Sequence, residues 1–210
     1  MIVIKTKDFS DAEIRQSVRI QIEELDQGFL SSFGSKALEV IFFHAASSRW
    51  GILVIAIDSE RGDAIGYVFG SDNINNFYKD FIVRKIPAAV IHFLPKMLSL
   101  QRIRKAFETL VYPMKNTSAD MPRAELLDLA VSRSYHGKGV AQKLFDGFAN
   151  ECRVRGVTAF KIPTSASLVR AHRFYEKMGA KKAGSVEVHR GQEAYVYVYE
   201  MKNVSETSQE

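Results

Sequence analysis

A single cysteine, Cys152, among 210 residues leaves no partner for an internal disulfide, so a reducing compartment is expected. No apolar run reaches the length of a membrane span. The opening Met1-Ile2-Val3-Ile4-Lys5 is too short for the apolar region of a signal peptide. A cytoplasmic location is therefore expected. Internal repeats and low-complexity tracts are also lacking. The net charge of +5 is too small to point to nucleic acid, though it suits an acidic small-molecule partner. With 210 residues the chain is long enough for one full core, expected over 1–202, with a polar, disordered tail over 203–210.

What is present reads as alternating strands and helices. Ile2–Thr6 reads as a strand. Ser10-Asp11-Ala12-Glu13 has the form of a capping box and opens a helix with Ile14, Val18, Ile22 and Leu25 on one face. Residues 28–34 read as a loop, and Ser35 starts a second helix to about His44. Gly51–Ile57 and Ala64–Phe69 form a hairpin around a polar turn. Glu125–Val131 reads as a buried strand and Val140–Arg155 as a helix that buries Cys152, a structural thiol. Val157–Ile162 is a strand ended by Pro163. Leu168–Met178 is a helix closed by Gly179. Ser185–His189 and Ala194–Met201 make a last hairpin, with Tyr195, Tyr197 and Tyr199 on one face.

Residues 71–123 form a long helical insert with a basic bias. Lys79, Arg84, Lys85, Lys96, Arg102, Arg104 and Lys105 stand against Asp80, and Pro87 and Pro95 are expected to break or kink the helical pattern. Such a segment serves as a cap with solvated charges. Alternatives are recognition of a phosphate-bearing acceptor and contact with a membrane surface.

The most informative stretch is His136-Gly137-Lys138-Gly139-Val140-Ala141, between an apolar strand and a helix start. Helix N-termini present N–H groups without intrahelical acceptors, and the helix dipole adds partial positive charge there. Two glycines keep side chains away and Lys138 adds a charge, so the stretch is an anion site. It is neither a dinucleotide fingerprint, because Gln142 stands where a third small residue is needed, nor a Walker loop. A Rossmann oxidoreductase is disfavoured on the same ground.

His136-x-x-Gly139-x-Ala141 resembles the pyrophosphate loop of the GNAT acyltransferase superfamily, Gln/Arg-x-x-Gly-x-Gly/Ala, with His at the first position. Ala171-His172-Arg173-Phe174-Tyr175-Glu176-Lys177-Met178-Gly179-Ala180 is similar to that family's Ala-x-x-Phe-Tyr-Glu-Lys-x-Gly-Phe segment. The resemblance is strong over 124–201 and rests on element order before that. It implies an α/β (α+β) GNAT fold: a central mixed, mostly antiparallel sheet flanked by helices, with the helical insert between the third and fourth strands.

The resemblance further implies an acetyltransferase that uses acetyl-CoA as co-substrate on a primary amine of a small-molecule acceptor. An amino-sugar or a phosphate-bearing metabolite would suit the basic insert. No metal is implied, and the chain is expected to be a monomer or homodimer. The pyrophosphate falls to the backbone of Gly137, Lys138, Gly139, Val140 and Ala141, with His136 contributing. Leu129 matches the strand position whose N–H meets the acetyl carbonyl, and Val131 a pantetheine contact. Leu168 stands where the family often has an asparagine. Tyr175 matches the tyrosine that protonates the departing thiolate. Glu125 matches a glutamate base eleven positions before the loop, and Asp128 competes with it. Strict strand alternation would put Glu125 with Leu127, Leu129 and Val131, and Asp128 on the other face. The acceptor would lie among Asp26–Phe33, Glu125 and Glu187–Gln192. His172 is expected at a solvent edge, and Glu187 and His189 as ordinary strand residues. A non-catalytic CoA-binding module, with the insert as a partner surface, is the alternative.

Overall fold

Successive strands of this chain bury both faces, and the architecture follows from that. In β2 (Gly51–Asp58), Ile52, Val54 and Ala56 enter one core while Leu53, Ile55 and Ile57 enter another. A sheet with two apolar faces needs helices on both. The computed structural model describes residues 1–25, 34–93, 121–189 and 192–201, without side chains for 85–93 and 187–192. Its seven strands form one sheet in the order β1-β2-β3-β4-β5-β7-β6. The strands are β1 (Ile2–Lys5), β2, β3 (Asp63–Ser71), β4 (Ala124–Val131), β5 (Ala159–Ser165), β6 (Lys181–His189) and β7 (Gln192–Glu200). Every pairing is antiparallel except β4 with β5. The mixed, mostly antiparallel sheet flanked by helices is thus present.

Helices α1 (Asp11–Glu24) and α2 (Ser35–Ser47) cover one face; α4 (Val140–Val154) and α5 (Val169–Lys177) cover the other. The Ser10 capping box forms in full: Ser10 Oγ accepts from Glu13 N–H and Glu13 accepts from Ser10 N–H. On α1 the inward face runs Ile14, Ser17, Val18 and Gln21 rather than through Ile22, which is 37% exposed. Gln21 turns inward because its amide meets buried polar partners. Cys152 is buried on α4 as expected, and burial pushes its thiol up to about 12. Tyr195, Tyr197 and Tyr199 share the α4/α5 side of the sheet.

The first part of the insert is helical as expected, α3 (Ile74–Phe93). Its backbone runs through Pro87 instead of ending there. Pro95, Lys96, Arg102, Arg104 and Lys105, the 26–33 segment, the 190–191 turn and the tail lie outside the described residues.

Pro163 does not end its strand. It sits inside β5, opposite Val196. Ala166 N–H donates to Glu193 O and Met201 N–H to Thr158 O, which makes the even-numbered residues of β5 the hydrogen-bonded ones in the β5–β7 ladder. Pro163 therefore faces away from β7, toward β4, and its missing N–H costs the ladder nothing.

Candidate active site

Strands β4 and β5 pair over only two rungs, Ala124 with Phe160 and Glu125 with Lys161. Beyond them the two strands part, and Leu126–Val131 keep β3 as their ladder partner. Ser132 N–H donates to Ile65 O, so by antiparallel alternation Ala130 and Asp128 also turn their polar backbone to β3. The N–H and C=O groups of Leu129 and Val131 point the other way, along the open edge. That edge offers aligned backbone donors and acceptors to a bound molecule.

β4 also carries a bulge. Phe69 faces Asp128 and Gly70 faces Leu126, leaving Leu127 as the extra residue. The bulge resets side-chain alternation and corrects the expected faces. Ala124, Leu126, Leu129 and Val131 pack toward α4. Leu127 and Ala130 pack toward α1 and α2, and Asp128 reaches Gln21 and Tyr67 on that side. Glu125 turns the same way, its charge felt by Tyr78 of α3. Glu125 thus does not share a face with Leu129 and Val131, and the two carboxylates stand on one side of the sheet.

Their environments differ. Glu125 is 4% exposed and faces Lys161, itself 6% exposed, at 3.4 Å between Oε2 and Nζ. Burial raises the Glu125 carboxyl, and the Lys161 ammonium opposes that rise. Asp128 is half-buried beside the open edge. Burial pushes its carboxyl up to about 7, against hydrogen bonds from Gln21, the Leu129 backbone and Tyr67. Tyr67 is fully buried; its hydroxyl lies against both Asp128 and Gln21 Oε1 and has one proton to give, to one or the other.

Tyr175 comes from α5 on the opposite side, packed beside Phe145, Phe174 and Tyr197. It is buried, and its phenol is held far above the usual range by burial and then by the Asp128 charge. The parting of β4 and β5 lets groups from both faces of the sheet sense one another.

At the far end of the open edge, β4 passes through a short 3-10 turn (Arg133–Tyr135) into the glycine loop and α4. Gly137 and Gly139 both have φ of 75°, and no described heavy atom lies within 4 Å of where a Cβ would stand. Positive φ demands glycine at both places, and the space outside them is clear for a phosphate at the α4 N-terminus. Lys138 lies over the Tyr135 ring at 4.8 Å, and Tyr135 OH donates to Asp58 Oδ2 at 2.5 Å, which anchors the turn to β2. His136 is exposed, with Nε2 2.7 Å from Val131 O. A carbonyl oxygen only accepts, so Nε2 carries the proton of this bond. The Nδ1 side then has an N–H to offer an anion only when the ring is protonated.

Three further residues of this neighbourhood escape pattern reasoning. Gln21, Tyr67 and Lys161 are a polar residue on a helix, an aromatic in a strand and a strand lysine, each ordinary until register brings it to a carboxylate. The sequence offers no signal for them: the apolar periodicity of α1 runs through Ile22 and not Gln21, and nothing marks Lys161 as buried. His172 is buried against the rings of Tyr195 and Tyr197, with Nε2 3.3 Å from Ala166 O, rather than at a solvent edge. Leu168 is exposed at the α5 start. The side chains of Glu187 and His189 are not among those described.

A strand pair that parts after two rungs, and a glycine loop at a helix start beyond it, are an arrangement that suits an acyltransferase of the CoA-dependent kind. The model of the Acetyltransferase (GNAT) family matches residues 20–180, and the chain belongs to that family. It is accordingly an acetyltransferase, and acetyl-CoA is its co-substrate. Solved structures share the fold at low identity. SsHAT aligns with a TM-score of 0.69 at 17% identity, over 96% of this chain and 99% of that one. The PaiA N-acetyltransferase from Thermoplasma acidophilum, in complex with coenzyme A, aligns with a TM-score of 0.59 at 11% identity, over 96% and 99%. An aminoglycoside 6'-N-acetyltransferase complexed with coenzyme A aligns with a TM-score of 0.59 at 13% identity, over 96% and 98%. No curated protein matches the sequence. No helix among the described residues is long and apolar enough to cross a membrane.

Proposed function

We propose that this acetyltransferase moves an acetyl group from acetyl-CoA to a primary amine of a small molecule, with Asp128 as general base and Tyr175 as general acid. The observation that carries the reading is the position of Asp128: half-buried beside the place where β4 and β5 part, with its carboxyl raised to about 7 by burial. A base works best with a pKa near the working pH. Glu125 has the family spacing, but its carboxyl is nearly closed to water and ion-paired with Lys161. We assign it to holding the closed end of the cleft rather than to proton transfer.

In this reading the loop backbone from Gly137 to Ala141 and the α4 N-terminus hold the pyrophosphate, and Val131 contacts pantetheine. His136 braces the loop through Val131 O and adds a donor only when protonated. The Leu129 N–H, shared with the Asp128 carboxyl, polarises the thioester carbonyl. The amine nitrogen bonds to the carbonyl carbon and gives its proton to Asp128 as the C–S bond breaks. Tyr175 gives its proton to the leaving sulfur. A phenol raised by burial is a weaker acid, so its proton passes only as negative charge builds on the sulfur and the hydrogen bond to it strengthens.

For the acceptor, an amino-sugar or a phosphate-bearing amine suits the basic insert, and one structural neighbour is named for action on an aminoglycoside. Within the described part of the insert, Arg84 is tied to Asp80 at 2.6 Å and Lys79 is exposed. A cytoplasmic enzyme, monomeric or homodimeric, fits this reading. The test is a thiol-release assay with acetyl-CoA against amino-sugars, polyamines, amino acids and peptides. Asp128→Asn is expected to lower kcat/KM about 10²–10⁴-fold and Tyr175→Phe to lower kcat, with Glu125→Gln affected less than Asp128→Asn. Full turnover in Asp128→Asn would remove the base assignment. Coenzyme A binding with no turnover on any amine would favour a non-catalytic module.

A further inference from the structure

We propose that Gln21 of α1 and Tyr67 of β3 are positioning residues that form a buried hydrogen-bonded bracket around Asp128 and fix its carboxyl at the β4 bulge. This rests on the reading of Asp128 as the base. Both residues are almost wholly buried, at 1% and 0% exposure. A glutamine at a core-facing helix position and a tyrosine hydroxyl inside an aromatic cluster are costly to bury without partners. Here the Gln21 amide N–H donates to Asp128, and the single Tyr67 proton goes either to Gln21 Oε1, holding that amide in place, or to the carboxyl itself.

The placement is specific to the bulge. Without the extra Leu127, Asp128 would follow simple alternation toward α4, and the bracket would have nothing to hold. With it, the carboxyl sits between α1 and β3 while its own backbone N–H and C=O still turn to β3. The ring of Tyr67 is fixed independently by an edge contact with Phe42 at 5.0 Å. The bracket is therefore anchored in the core of the opposite face, not in the cleft. That is what a proton acceptor needs if it is to stay aimed when substrates enter and leave.

Other titratable groups around Asp128 come from every side of it. Tyr175 approaches from α5, and Glu125 stands on its own strand, neutralised by Lys161 of β5 and flanked by Tyr78 of α3. Of these neighbours, Gln21 and Tyr67 are the side chains whose hydrogen bonds hold down the Asp128 carboxyl against burial. Removing either bond leaves burial less opposed, so the carboxyl must move further up.

The experiment is a direct titration of Asp128 in the full chain, by carbon NMR of protein labelled at the aspartate carboxyl carbon. The resonance is assigned by its loss in Asp128→Asn. In the unaltered protein the midpoint is expected at about 7. In Tyr67→Phe and in Gln21→Leu it is expected to rise by roughly half a unit or more. Tyr67→Phe keeps the ring that packs on Phe42, so folding is retained and checked by near-ultraviolet circular dichroism. Midpoints unmoved in both folded variants would overturn the bracket. Acetyl transfer that persists undiminished in Asp128→Asn is a separate result, and it would overturn the base assignment and the positioning role with it.

Discussion

Glu125 and Lys161 oppose each other on the last rung where β4 and β5 still pair, with their charged atoms 3.4 Å apart and both side chains nearly closed to water. A buried pair at that point closes one end of the cleft. Removing one partner leaves the other charge buried and alone, which typically costs about 3–5 kcal/mol. Glu125→Gln and Lys161→Met are each expected to lower the unfolding midpoint strongly. The double substitution is expected to recover most of the loss. A double-mutant cycle by urea unfolding checks this, and simple additivity would contradict it.

Asp128 carries a stability signature of opposite sense to an ordinary carboxylate. Its folded value is raised from 3.8 to about 7, so the folded state favours the protonated form. The resulting penalty is absent below about pH 4 and grows as pH rises toward 7, where it is fully present. Asp128→Asn is therefore expected to be more stable than the parent above pH 7, by roughly 2–4 kcal/mol, with little difference at pH 4. Thermal unfolding at both pH values measures it. Equal gains at the two would count against a raised Asp128.

Gly139 combines a positive φ with clear surroundings. Gly139→Ala is expected to cost about 1 kcal/mol or slightly more from backbone strain alone. The added methyl would also stand on the face proposed to take the pyrophosphate. Coenzyme A affinity, read by calorimetry, is expected to fall by more than the stability does. Unchanged affinity would argue that the loop does not hold the cofactor.

Gly70 behaves differently. A Cβ there would lie 2.3 Å from Glu125 O and 2.6 Å from the Phe148 ring. Gly70 borders the bulge, and its bare backbone lets β3 and β4 approach under α4. Gly70→Ala is expected to destabilise by roughly 1–3 kcal/mol through overpacking and to disturb Asp128, three residues beyond Glu125 on β4. A stable, fully active variant would contradict this account of the bulge.

Some of this site is legible in the chain and some is not, for physical reasons. The glycine loop, the capping box at Ser10 and the helix stop at Gly179 are local devices, encoded by residues a few positions apart. The bulge at Leu127 is not local. It depends on how β3 registers against β4, and nothing in Glu125–Val131 marks the extra residue. Strict alternation therefore grouped Glu125 with Leu129 and Val131 and separated it from Asp128, whereas the two carboxylates share a face. Gln21 and Lys161 are legible only once their partners are known, because a lone polar residue at a core position carries no address. Pro163 misleads in the other direction: proline usually closes a strand, but half the positions of a strand beside an opening need no donor.

That last point bears on how the cleft stays open. An unzipped strand pair at the centre of a sheet would ordinarily tend to close, since two exposed backbone edges complement each other. Pro163 presents a ring to β4 where a donor would be needed for the next rung. The gap is thus written into covalent structure, and the enzyme need not spend substrate binding on prising its own sheet apart.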